Sequence, residues 1–151
     1  MLIELLFFAY RDFISDPDNI LEELGFGRAH HRIVHFVGRN PGMTVAQLLD
    51  ILRITKQSLG RVLKELIEQG YVYQREGEQD RRQRLLHLTR EGEKLRKRLM
   101  APQIERIRRA LEESDPASAL RYRDLLYHLV SPENRASVRE WLGAHGDAEV
   151  A

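Results

Sequence analysis

The 151-residue sequence contains no cysteine. Disulfide scaffolds, thiolate zinc sites, iron–sulfur clusters and thiol redox sensing are therefore excluded. Long apolar runs are also missing. The densest, Met1–Tyr10, carries Glu4, has no basic leader, and reaches Arg11-Asp12 without a small-residue cleavage site, so it is neither a secretory signal nor long enough to span a bilayer. These features predict a cytoplasmic protein with no membrane partner and an unusually apolar first helix. No Gly-rich phosphate loop, nucleophile–base arrangement or catalytic metal motif occurs, which argues against an enzyme, and no cofactor is called for. Repeats and low-complexity segments are absent as well.

An excess of either charge is lacking too. With 24 Lys and Arg against 23 Asp and Glu, the formal charge is +1, a total that taken alone argues against a polyanionic partner. The distribution reverses that inference. Residues 1–27 hold one Arg and six acids, residues 53–98 hold 13 Lys or Arg and seven acids, and residues 112–151 hold four Arg and eight acids. A basic middle lies between acidic ends, with mildly basic stretches, 28–52 and 99–111, on either side of it.

What is present is helical periodicity. The apolar positions of 1–14 are too dense for a narrow stripe, so that helix needs burial on more than one side. Asp16-Pro17-Asp18 ends it. A short helix follows from Ala29 to Val37, closed by Gly38 and Asn40-Pro41-Gly42. Thr44-Val45-Ala46-Gln47 has the pattern of a capping box opening a helix over 44–53. Thr55 caps a second helix that ends at Gly70. In that helix Leu59, Val62, Leu63, Leu66 and Ile67 share one face, leaving Lys56, Gln57, Gly60, Arg61 and Lys64 on another. Two strand-like segments, 71–74 and 85–88, flank an Arg-rich stretch and predict a hairpin with a long basic tip. Thr89 caps a helix through about Glu112 that Pro102 is expected to kink. Asp115-Pro116 and Ser131-Pro132 open two more.

Two helices joined by a tight turn and followed by a hairpin make a winged helix-turn-helix: mainly α with a small β-hairpin, flanked by N- and C-terminal helices. The expected organisation is an N-terminal helical segment at 1–27, the winged domain at 28–98, and C-terminal helices at 99–151. A helix has the diameter to enter a DNA major groove, and an Arg-tipped hairpin can reach the minor groove.

The run Ile51–Leu66, then Gly70-Tyr71-Val72, Asp80-Arg81-Arg82 and Leu88-Thr89-Arg90-Glu91-Gly92, resembles the MarR family of bacterial transcription regulators. The His30-His31-Arg32 and Asp80–Arg84 stretches are similar to a branch that includes PetP-like regulators. The resemblance implies a homodimer whose terminal helices intertwine, a double-stranded DNA operator with pseudo-palindromic half-sites, a repressor role, and release by a small aromatic or anionic effector. It makes Thr55–Lys64 the recognition helix, with Gln57, Ser58, Arg61 and Lys64 as candidates for base or phosphate contact. Gln57 and Arg61 suit bidentate readout of adenine and guanine, while Lys56 and Lys64 suit phosphates. In the wing, Arg82 matches the groove-inserting arginine. Asp80 matches the acid that orients a wing arginine, with Arg75 as its expected partner, and Arg81 and Arg84 add phosphate contacts.

Tyr10, His31, Arg32 and His35 are candidates for an effector pocket. His31 and His35 also lie one helical turn apart, a metal-ligand spacing that His30 and His87 could supplement. A metal-responsive regulator, core or interface histidines, and effector contacts stay open as readings. No metal site is assigned, because neither an HExxH motif nor a dense acidic cluster accompanies them. A winged-helix protein-interaction module is the other alternative, and the Arg-rich wing argues against it.

Overall fold

A computed structural model describes residues 1–77 and 80–143. Residues 78–79, in the expected wing tip, and 144–151, the end of the expected C-terminal segment, lie outside the described residues. The chain forms two compact units, Met1–Gln103 and Ile104–Ala151.

In the first unit, helix α1 (Leu2–Ser15) and helix α2 (Asp18–Glu23) are separated at Pro17, and helix α3 (Arg28–Arg39) follows. A two-residue strand, β1 (Met43–Thr44), leads into helix α4 (Val45–Leu52). The capping box forms as expected: the Thr44 hydroxyl accepts the Gln47 backbone N–H at 3.2 Å, and the Thr44 N–H donates to Gln47 Oε1 at 2.8 Å. The chain turns at Arg53, whose φ of 51° lies in the left-handed region. That conformation is normally left to glycine. Helix α5 (Lys56–Glu68) then starts on Thr55, whose hydroxyl accepts the Ser58 N–H at 3.1 Å, and ends before Gly70 at φ +78°.

Strands β2 (Val72–Glu76) and β3 (Arg84–Leu88) form the hairpin, pairing Val72 with Leu88 and Glu76 with Arg84. The sheet has a third strand that the sequence did not announce. β1 pairs antiparallel with β3, Met43 opposite Leu86, giving the order β1-β3-β2. Helix α6 (Arg90–Glu112) continues through Pro102. Its N-terminus packs against the loop after α5, because Gly92 has no side chain. A Cβ there would stand 2.0 Å from the Tyr71 carbonyl oxygen. The Thr89 hydroxyl fixes this junction, accepting the Gly92 N–H at 3.0 Å and donating to the Gly70 carbonyl at 2.6 Å.

The core of this unit is drawn from α3 (Ile33, Val34, Val37), α4 (Leu48, Leu52), α5 (Leu59, Val62, Leu63, Leu66), the sheet (Met43, Val72, Leu86) and α6 (Leu95, Leu99), with Leu21 and Phe26 alongside. In contrast, α1 buries no residue. Leu2 is 79 % and Phe7 68 % exposed. Only its end is tied down by the described hydrogen bonds, the Gln103 amide donating to the Phe13 carbonyl at 3.0 Å.

In the second unit, helix α7 (Ser118–Leu129), a 3-10 turn (Pro132–Asn134) and helix α8 (Arg135–Gly143) follow α6, and neither helix buries a residue. Leu120, Leu125, Leu129 and Leu142 are exposed. A cavity of about 750 Å³ in this unit is lined by apolar side chains of α7 and α8 and by Arg123, Asp124 and Arg139. Among the described residues, no helix is long and apolar enough to cross a membrane.

Candidate nucleic-acid interface

Helix α5 divides its residues by face. Leu59, Val62, Leu63 and Leu66 are buried, whereas Thr55, Lys56, Gln57, Ser58, Arg61 and Lys64 are exposed. One face holds the helix in the core and the other is open to solvent. At its N-terminus the Thr55 hydroxyl also contacts the Ser58 hydroxyl at 2.9 Å. Four N–H groups at a helix start lack intrahelical partners and favour anions. Gly60 is exposed, and a Cβ there would meet nothing within 4 Å; nothing in this chain requires a glycine at that position.

The wing presents Arg75, Arg81, Arg82 and Arg84 as exposed side chains. The ion pair expected between Asp80 and Arg75 does not occur among the described contacts. Asp80 instead shapes the turn that carries Arg82: its carboxylate accepts the Arg82 backbone N–H at 2.9 Å, and the Gln83 N–H closes the turn onto the Asp80 carbonyl at 3.0 Å. A short carboxylate in a turn has its own backbone as the nearest donor, and that local bond wins. Arg75 lies over the Tyr73 ring, 5.6 Å from its centroid, and Tyr73 stacks on His87 at 5.3 Å. Arg84 pairs across the strands with Glu76 at 2.9 Å. Burial, and secondarily Arg75, holds the His87 imidazole below its ordinary range.

Capped helix, tight turn and Arg-tipped hairpin thus occur on one domain, and comparisons with known proteins agree with that arrangement. A family model described as MarR family matches residues 24–83. The HTH-type transcriptional regulator PetP of Rhodobacter capsulatus is 46 % identical over 133 residues, covering 88 % of this chain and 80 % of that protein. The chain belongs to the MarR family. It is a MarR-type transcriptional regulator and not an enzyme.

Solved MarR-type structures share the fold. A Listeria monocytogenes transcriptional regulator assigned to the MarR family, complexed with 26mer DNA, superposes with a TM-score of 0.73 at 22 % identity, covering 93 % of this chain and 91 % of that one. NadR in complex with 4-hydroxyphenylacetate gives 0.73 at 25 % identity, covering 87 % and 94 %.

The four residues expected to line an effector pocket are not drawn into one cluster by the described contacts. The Arg32 guanidinium donates to the Leu52 carbonyl at 3.2 Å, at the end of α4 in the helix-turn-helix. Tyr10 is exposed on α1. His31 is buried near Asp18, which pairs with Arg28 at 2.7 Å, and burial lowers its pKa while Asp18 raises it. His35 is half-buried with its ring edge-on to Phe36 at 5.1 Å. None of the four lines the cavity of the second unit. Among the described residues, no group of three or more His, Asp or Glu side chains is placed to hold a metal ion.

Sequence reasoning missed three features of this site. His30 bridges to Glu65 across 35 positions, a contact no local pattern announces. Tyr73 and His87 meet through strand register, which a sequence reveals only once the hairpin is aligned. The second bond of Thr89, to Gly70, needs the packing at Gly92 to bring the two loops together.

Proposed function

We propose that this protein is a homodimeric repressor that reads a pseudo-palindromic DNA operator, placing α5 of each protomer in successive major grooves and the Arg82 turn in the flanking minor groove. The observation that carries the reading is the division of α5: an apolar face anchored in the core and an exposed face of Lys56, Gln57, Ser58, Arg61 and Lys64, next to a wing whose turn displays Arg82. Gln57 and Arg61 read bases; Lys56, Lys64, Arg75, Arg81 and Arg84 neutralise phosphates. Asp80 serves by holding the turn rather than by touching DNA.

The dimer is supported by the apolar side chains left in solvent on α1, α7 and α8, an area that monomeric proteins rarely leave open. Segments 1–27 and 99–151 are its dimerisation elements, 28–98 its reading domain, and the cytoplasm its place of action. Release by a small aromatic or anionic effector completes the proposal, with Tyr10, His31, Arg32 and His35 as the residues to test. The aromatic acid bound to NadR makes 4-hydroxyphenylacetate the first compound to try. An effector shifts the population only as far as it prefers the state whose helix spacing no longer matches the grooves.

Selection of bound duplexes by the purified protein tests the function. The expected product is an inverted repeat with half-site centres about 10 base pairs apart. A stable dimer that enriches no duplex and binds none in a salt-dependent manner overturns it.

A further inference from the structure

His30 is a buried polar side chain packed against α5 and tied at both ring nitrogens. Its ring is buried and lies flat against Phe26, with centroids 4.3 Å apart and planes 8° from parallel. Both ring nitrogens are used. The Gly27 backbone N–H donates to Nδ1 at 3.0 Å, and Nε2 lies 2.7 Å from Glu65 Oε2. A neutral imidazole has one N–H and one lone pair. Because Nδ1 accepts, the proton is on Nε2, and it is donated to Glu65.

Glu65 belongs to α5, one turn after Arg61, and is 41 % exposed. Phe26, on the other side of the imidazole, meets Tyr71 edge-on at 5.6 Å. The Tyr71 carbonyl accepts the Thr89 N–H at 3.0 Å and abuts Gly92. One unbroken series of contacts therefore runs from the last turn of α5, through Glu65, His30 and Phe26, to the residue from which β2 departs and onto which α6 is seated.

We propose that His30 is a positioning residue for DNA reading: through its bond to Glu65 it fixes the rotation of α5 relative to the base of the wing. The proposal rests on α5 being the recognition helix. Its physical basis is tolerance. A reading constellation has to be held within about 0.5 Å and 10–20° by side chains whose own rotamers are locked; among the described residues the side chains that hold α5 are otherwise apolar, with no preferred direction, and its one backbone bond to the wing base, Tyr71 N–H to the Leu66 carbonyl at 2.9 Å, lies at its very end. The His30–Glu65 bond adds a directional constraint in the same helical stack as Arg61. It sharpens discrimination between sequences and leaves phosphate contacts largely indifferent.

The test uses the full chain, one selected duplex and one random duplex of equal length, with Glu65→Ala and Glu65→Gln. Glu65 is partly exposed, so both variants keep the core intact. Glu65→Ala is expected to weaken the selected duplex about tenfold, the scale of one hydrogen bond to a charged group, and to leave the random duplex within about twofold. Glu65→Gln keeps an acceptor for Nε2–H and is expected to retain selectivity, while ring nitrogen NMR shows the His30 proton on Nε2. A purely electrostatic role for Glu65 predicts the opposite, since losing a carboxylate beside DNA tightens both duplexes in both variants. That outcome overturns the proposal, as does equal loss of selectivity in both variants or a His30 proton found on Nδ1. If the wild-type protein binds neither duplex, the recognition-helix reading falls with it; if it discriminates and Glu65→Ala does so equally well, only the role of His30 falls.

Discussion

The domain spanning α3 to the start of α6 and the terminal helices α1, α7 and α8 are built from similarly apolar residues, yet they treat them oppositely. Leu59 and Leu66 on α5 are 0 % exposed. On α1, Leu2, Ile3, Phe7 and Phe8 are all more than half exposed, and α7 leaves Leu120, Leu125 and Leu129 in solvent. Hydrophobicity alone thus does not place a helix in a core; a facing element must exist in the same chain. The winged domain supplies its own, and among the described residues α1, α7 and α8 bury none of theirs.

Truncating a core side chain breaks the first half of that comparison. Leu66→Ala should cost about 2–5 kcal/mol of stability in urea denaturation, through lost transfer energy and the cavity left behind. The second half is tested on α1, where Phe7→Ser with Phe8→Ser should leave the winged domain folded by circular dichroism. Its expected effect is on assembly, raising the dimer dissociation constant about 100-fold in sedimentation, as removal of interface aromatics does. Should that double variant unfold the reading domain instead, the division of labour is wrong.

Gly92→Ala asks how closely the reading domain is packed. The new methyl group meets the Tyr71 carbonyl oxygen at 2.0 Å, so the wing junction has to move. A stability loss of about 1–3 kcal/mol is expected, whereas Ala at exposed Gly60 should be neutral or stabilising through its higher helix propensity.

The smallest effect is on pH. Burial, against an opposing pull from Asp18, holds the His31 imidazole below its ordinary value of 6.5. Above about 6.5 both folded and unfolded forms are neutral and nothing is lost. As the pH falls from 6.5 towards the lower folded value, the unfolded chain binds more protons and stability declines. Denaturation midpoints at pH 7 and pH 5 should differ more in the wild type than in His31→Gln.

Legibility in the sequence followed the same division. Caps were readable because they are local: Thr44 with Gln47, Thr55 with Ser58, and Gly70 each act within one turn of chain. The apolar stripe of α5 was readable from its period, and the hairpin from its composition. β1 was not, because two residues have no period and only pairing with Leu85 and Leu86 makes them a strand. The partner of Asp80 is not legible for a related reason. The family resemblance names an arginine across the loop, but a backbone N–H two residues away takes the Asp80 carboxylate. His30 reads as one of several histidines, and its contact with Glu65 arises only when folding brings that side chain to its ring.

DNA reading by helix and wing is tested by the salt dependence of binding to a selected duplex, compared between wild type and Arg82→Ala. Each cation brought against the duplex, Arg82 in the minor groove included, offsets phosphate charge, and each phosphate so neutralised contributes about −0.9 to the slope of log K against log salt. The wild type is expected to show a steep negative slope, and Arg82→Ala weaker binding with a slope shallower by about one unit per protomer. An affinity insensitive to salt, or an Arg82→Ala protein that binds with wild-type strength and slope, would contradict it.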